Sequence, residues 1–196
     1  MSLRETLSAA RLSRQAVAAS AGDTAAFRQL YRALHPLVWR YVSRRIAGRA
    51  DVEDLVSRTF MRVVEHLHRF EPERGNVRAW VLGIARNAVI DHLRHQRASG
   101  DADVLERLAD AAFDPARALE DDERQARLRA LLSSQPAVVR EMFALRFGDG
   151  LRVREIAALL DMSEAAVKQR FARTLRELRG KLEVEASQKG AAGYAI

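Results

Sequence analysis

Six side chains in one short stretch, Lys168, Gln169, Arg170, Arg173, Arg176 and Arg179, have the types and spacing to grip a polyanion. They lie beside an apolar stripe of Val167, Phe171, Leu175, Leu178 and Leu182, whose steps of 4, 4, 3 and 4 read as the complete buried seam of a helix. A packing element needs only that stripe. Arg and Lys reach phosphates and guanine edges and Gln reaches adenine, so a helix of this kind can lie in a major groove of DNA. The bland alternative is a solvated arginine-rich face. The charge is nearly one-signed, with Glu177 its only acid, and the turn before it favours the DNA reading.

That turn is Asp161-Met162-Ser163, between "EIAALL" and "EAAVKQRF". A helix-turn-helix crosses two helices over a short turn and needs small residues at the contact, here Ala157 and Ala158. Ile156, Leu160, Met162, Val167 and Phe171 can form the wedge. Asp161 stands where glycine is easiest, but Asp tolerates a left-handed backbone better than most residues. Ser163 is expected to cap the second helix, with Glu164 complementing its dipole.

A second constellation lies in "RAWVLGIARNAVIDHLRHQR", which sets Trp80 near a helix start and Arg86, Asn87, Arg94 and Arg97 further along. Aromatic, amide and cationic groups together can hold unstacked bases of a single strand. A tryptophan in a helical domain is otherwise a core residue. Asp91 shares a face with Asn87 and Arg94, while Leu82, Ala85, Val89 and Leu93 mark the apolar face.

The elements that must position these groups are all helices. Apolar residues recur at helical spacing through Phe27–Ile46, where Pro36 reads as the start of a second helix rather than an interruption. They recur again in Val52–Leu67, with Asp51 as its N-cap. "EPERGN" supplies a turn, and no alternating strand pattern competes. After residue 123 four helical stretches break at Ser133–Pro136, Gly148–Gly150 and Asp161–Ser163. The expected architecture is all-α. It comprises an N-terminal extension (1–22), a helical domain (23–98), an acidic flexible linker (99–123), a helix-turn-helix domain (124–182) and a fraying tail (183–196). The extension is either a frayed helix or a regulatory contact.

Charge supports the division. The chain of 196 residues carries 33 Lys and Arg against 26 Asp and Glu, a net of +7. Ser99–Glu123 holds nine acids and two arginines, a local −7, which leaves +14 on the two flanking bodies. Basic bodies attract polyanions at long range. Without cysteine there are no disulfides or thiolate metal sites. No stretch has a signal-peptide core or reaches a membrane span, so a cytoplasmic protein without membrane insertion is expected.

An enzyme is disfavoured. There is no phosphate loop, GxGxxG turn or HExxH pair, and the five histidines are too few for a rich metal site. His92 and His95 extend a basic face, and Glu141 and Glu155 have no evident carboxylate partner for acid–base work. No cofactor is expected.

Together "VEDLVSRTFMRVV", "FEPERGNVRAWVLGIARNAVIDHLRHQR" and "QPAVVREMFALRFGDGLRVREIAALLDMSEAAVKQRFARTLREL" resemble the bacterial RNA polymerase sigma factors, in particular the extracytoplasmic-function (ECF) group of the sigma-70 family, which keeps only regions 2 and 4. The resemblance implies a monomer that binds core RNA polymerase and directs promoter recognition and opening. Asp51, Asp54, Leu55 and Phe60 would dock on the polymerase clamp. Trp80, Arg86, Asn87, Asp91 and Arg94 would melt the −10 element and hold a flipped base. Ser163, Lys168, Gln169, Arg170 and Arg173 would read the −35 element. The acidic connector would thread a polymerase channel, and an anti-sigma factor is the further partner implied. Ser57-Arg58 and Asp161 depart from the family's usual residues. The rival reading is a helix-turn-helix regulator that binds a palindrome as a dimer without polymerase.

Overall fold

In a computed structural model, residues 3–73, 76–96, 101–112 and 130–192 are described, and all the regular structure among them is helical. α1 (Leu3–Ser20), α2 (Thr24–Ser43), α3 (Arg49–His66) and α4 (Val77–Gln96) build the first body. α5 (Asp101–Ala112) leads to the second, made of α6 (Ala137–Phe143), a π-helical turn over Ala144–Gly148, α7 (Val153–Leu159) and α8 (Glu164–Ala192).

Each start has a local cause. Asp23 caps α2, its Oδ1 accepting from the amides of Ala25 and Ala26 at 2.8 and 2.9 Å. The helix then buries Leu30, Leu34, Leu37, Val38, Tyr41 and Val42 along one face and runs straight through Pro36. The expected second start at Pro36 does not occur. Its ring removes one ladder bond at a cost of about 3 kcal/mol, which burial of the leucines and valines on either side, at roughly 1.5–3 kcal/mol each, outweighs. α3 is preceded by Gly48, and Asp51 sits in its first turn rather than at the cap. Asn76, at the end of the expected turn, accepts from the Arg78 amide at 2.9 Å and opens α4.

α4 is the central helix, touching α1, α2, α3, α5 and α7. Val77, Val81, Leu82, Ala85, Ala88, Val89, Ile90 and Leu93 are therefore all buried on it. The N-terminal extension is an ordered helix: α1 packs on α2, and its Ala16 is fully enclosed.

Two corrections concern the segments between and after the bodies. The first half of the connector is not a flexible linker: α5 buries Val104, Leu108 and Ala109 between α4 and α6. Arg107 donates to the Leu93 carbonyl at 3.0 Å, and Arg140 of α6 pairs with Glu106 and, at 3.0 Å, with Asp110. Glu106 and Asp110 are thus on the solvent side of an amphipathic helix whose apolar side had to be covered. Residues 113–129 of the connector, and Arg97, lie outside the described residues. The expected tail begins as helix, because α8 continues to Ala192.

The second body has a small core of Leu132, Val139, Phe143 and Leu178. Its Met142, Leu145, Leu151, Ile156, Ala157 and Val167 instead join the apolar cluster of the first body. Two helical bodies are present, and they are packed together.

Candidate nucleic-acid interface

The turn between α7 and α8 has the geometry its residues call for. Asp161 adopts φ 53°, the one described non-glycine residue in the left-handed region. The Met162 amide reaches back to the Ala157 carbonyl at 2.9 Å, and Ser163 Oγ accepts from the Ala166 amide at 3.1 Å. Ile156, Ala157 and Val167 are buried in the wedge, with Leu160, Met162 and Phe171 partly so.

On α8, Lys168, Gln169, Arg170 and Arg173 all face solvent. Among the described residues the ion pairs that engage them run along the helix: Lys168 with Glu164 at 3.7 Å and Arg173 with Glu177 at 2.9 Å. Such exposed pairs are worth a few tenths of a kcal/mol. A phosphate can displace them.

The buried seam of α8 runs through Val167, Phe171, Thr174 and Leu178, not through Leu175. Steps of 4, 3 and 4 keep to one face, whereas Leu175 lies a position further round. It is 49% exposed, and Phe147 is 69% exposed. Phe147 itself meets the Phe143 and Phe171 rings at 5.6 and 6.4 Å. The second body thus carries an open apolar strip beside its basic face.

The other constellation forms a cleft of about 520 Å³ at the start of α4. Trp80 and Phe70 face each other with ring centroids 5.6 Å apart, and Arg69, Arg86 and Asn87 contribute polar groups. Trp80 is half-buried and lines the cleft, so it is neither a plain core residue nor a free one. Asn87 is exposed at the rim. Arg86 is engaged: its Nε and Nη2 donate to the two carboxylate oxygens of Glu141 at 2.9 and 3.3 Å. Burial disfavours the guanidinium charge, but the hydrogen bond and charge of Glu141 more than offset this and raise its pKa. Asp91 and Arg94 lie outside the cleft, where Asp91 also meets Arg62 at 3.7 Å.

Glu71, Asn76, Ala79, Gly83 and Ile84 also line the cleft, and Ala158 and Leu159 of the helix-turn-helix wall its far side. Asn76 beside it donates to Glu155 Oε1 at 2.8 Å, and the other Glu155 oxygen accepts from the Arg152 amide. Asn76, Phe70, Glu141 and Glu155 were not among the expected site residues. The signal for Asn76 was a capping residue immediately before a periodic run; nothing local marks the two glutamates.

On α3, Asp51 and Asp54 are exposed, and Asp54 pairs with Arg58 at 2.5 Å. Leu55 and Phe60 are buried, at 1% and 7% exposure. Their apolar surface is already used in the core, so they hold the helix rather than present a docking face. Met61 and Val64, 55% and 57% exposed, are the apolar groups this helix offers outward.

Residues 30–99 match the family model for Sigma-70 region 2, and residues 125–178 match that for Sigma-70, region 4. The chain belongs to the sigma-70 family of RNA polymerase sigma factors. Within it the chain is an ECF sigma factor. It is 34% identical over 168 residues to the ECF RNA polymerase sigma factor BldN of Streptomyces coelicolor, covering 82% of this chain but 61% of BldN. It is also 34% identical over 173 residues to the RNA polymerase sigma factor CarQ of Myxococcus xanthus, covering 85% of this chain and 97% of CarQ. Among solved structures, CnrH in complex with the cytosolic domain of CnrY matches with a TM-score of 0.58 at 27% identity, over 87% of this chain and 96% of CnrH. Among the described residues no helix is long and apolar enough to cross a membrane.

Proposed function

We propose that this ECF sigma factor binds core RNA polymerase in the cytoplasm, brings it to promoters through two separate DNA surfaces, and is held inactive by an anti-sigma factor. The observation that carries the reading is the pairing, in one chain, of a solvent-facing basic recognition helix with an aromatic-and-amide cleft. One suits duplex and the other an unstacked strand. Lys168, Gln169, Arg170 and Arg173 take the −35 duplex, with Ser163 fixing the start of their helix.

Trp80, Arg86 and Asn87 take the −10 strand, with Asp91 and Arg94 flanking it. Opening then needs no catalytic group, because binding of the exposed strand offsets the few kcal/mol of unstacking. On α3 the docking face for the polymerase clamp is Asp51 and Asp54 with the exposed Met61 and Val64, backed by Leu55 and Phe60. The inhibitor reading draws on CnrH, whose solved structure includes the cytosolic domain of CnrY.

Run-off transcription tests the whole reading. Core polymerase from the source organism and a pool of its genomic fragments should yield discrete transcripts only when this protein is added. A footprint from the protein alone, with no transcripts, would point instead to a regulator that works without polymerase.

A further inference from the structure

Three helices of the first body meet around a second concavity, a groove of about 620 Å³. α1 supplies Arg11 and Gln15, α2 supplies Arg32 and Arg40, and α4 supplies Arg78. No residue lines both this groove and the Trp80 cleft, and none of its residues belongs to either proposed DNA surface. Its charge is uncompensated. On α3 each arginine has an acid beside it: Arg49 has Glu53, Arg58 has Asp54 and Arg62 has Asp91. No acid lines the groove, and among the described residues no carboxylate pairs with Arg11, Arg32 or Arg78. Like charges gathered in a concave space repel one another and concentrate a field that draws in anions. Arg40 is already steadied, because its Nη2 donates to the Asp149 carbonyl at 3.2 Å.

We propose that this groove binds a soluble nucleoside polyphosphate. Guanidinium forks match phosphate oxygens in pairs, and four of them suit a diphosphate or triphosphate better than a single phosphate. The apolar floor, made by Leu12, Leu34 and Leu37, gives the base a surface to lie on. Beside it Gln15 Nε2 donates to Gln29 Oε1 at 2.7 Å, which leaves the Gln15 oxygen and the Gln29 nitrogen for the edge of a base. A volume of this size is that of a small-molecule site. A track for single-stranded nucleic acid is built on aromatic platforms, and no Phe, Tyr or Trp lines this groove. The ligand gives the N-terminal helix a task. By joining Arg11 and Gln15 to α2 and α4, it ties α1 to the rest of the body.

The test is calorimetric titration of the full-length protein at near-physiological salt with ATP, GTP, inorganic tripolyphosphate and a short random single-stranded DNA. One ATP or GTP should bind per chain, roughly tenfold more tightly than tripolyphosphate. Arg11→Gln and Arg32→Gln, both at exposed positions, should each weaken that binding roughly tenfold, while Arg49→Gln leaves it unchanged. Amide exchange of the wild type locates the site without any substitution: bound nucleotide should slow exchange in α1 and the first half of α2. Absence of nucleotide binding, an equal loss in Arg49→Gln, or protection confined to α8 would overturn the proposal. Tripolyphosphate as tight as the nucleotides would remove the nucleoside from it. DNA binding that falls in Arg11→Gln and Arg32→Gln, with no nucleotide bound, would make the groove a strand track instead.

Discussion

Arg45 and Asp149, 104 positions apart in the chain, form an ion pair at 3.3 Å in which both side chains are fully enclosed. The guanidinium also lies 3.7 Å from the centroid of the Tyr41 ring and donates to the Tyr41 carbonyl at 3.0 Å. One residue belongs to region 2 and the other to region 4, so this pair reports directly on whether the two bodies are together. Asp149→Ala leaves Arg45 enclosed without a counter-charge, a loss of about 3–5 kcal/mol for the closed arrangement. The expected result is an enlarged radius of gyration in small-angle scattering with helical circular dichroism retained. A compact Asp149→Ala protein would refute it.

Burial raises the Asp149 carboxyl above the usual carboxylate range, and the charges of Arg45, Arg44 and Arg40 pull it only part of the way back. A carboxyl whose folded pKa is raised binds its proton more readily when folded. Its contribution is therefore fully present below the unfolded value of about 3.9 and is lost as pH rises through the folded value. The stability of wild type relative to Asp149→Asn should be greatest on the acid side and shrink toward neutrality. Paired urea denaturations across that range measure it, and a difference that grows with pH would reverse the assignment.

Asp161 holds a left-handed backbone at φ 53°. Asp161→Gly should leave stability unchanged or raise it slightly, because glycine takes that conformation without steric cost. Asp161→Val should lose roughly 1–2 kcal/mol, since its β-branch crowds the backbone there. Thermal melts of the two variants are sufficient, and equal midpoints would mean that the turn relaxes to another conformation.

Arg173→Ala should weaken use of the −35 element, lower the salt slope of duplex binding by about one unit, and leave association with polymerase intact. Asn87→Ala should retain recruitment and impair opening, visible as fewer permanganate-reactive thymines at a fixed amount of promoter-bound polymerase. Loss of polymerase pull-down by Arg173→Ala would break this division of roles.

What was legible in the chain was whatever its local chemistry determines. Helical spacing marks the long helices, and Asp161 with Ser163 marks the crossing of α7 and α8. The misreadings share a cause. Acids dominate Ser99–Glu123 in sequence, yet Val104 and Leu108, one turn apart, are enough to pin α5 between its neighbours. Leu175 has the seam's spacing in sequence, but Thr174 completes the seam. Glu141, Asp149 and Glu155 look like surface acids in sequence, because what buries them arrives from residues 45, 76 and 86. A charge's burial is a property of its distant partner, and no local pattern encodes it.

The central position of α4 separates two kinds of freedom. Val81, Leu82, Ala85, Val89 and Leu93 are locked by neighbours, whereas Asn87, Arg94 and half of Asp91 face outward on the same helix. Under the proposed roles, descendants of this protein can acquire new promoter preferences by changing the outer positions, while the inner ones continue to specify the same folded body. Diversification of target genes and preservation of the fold are thus assigned to opposite sides of one helix.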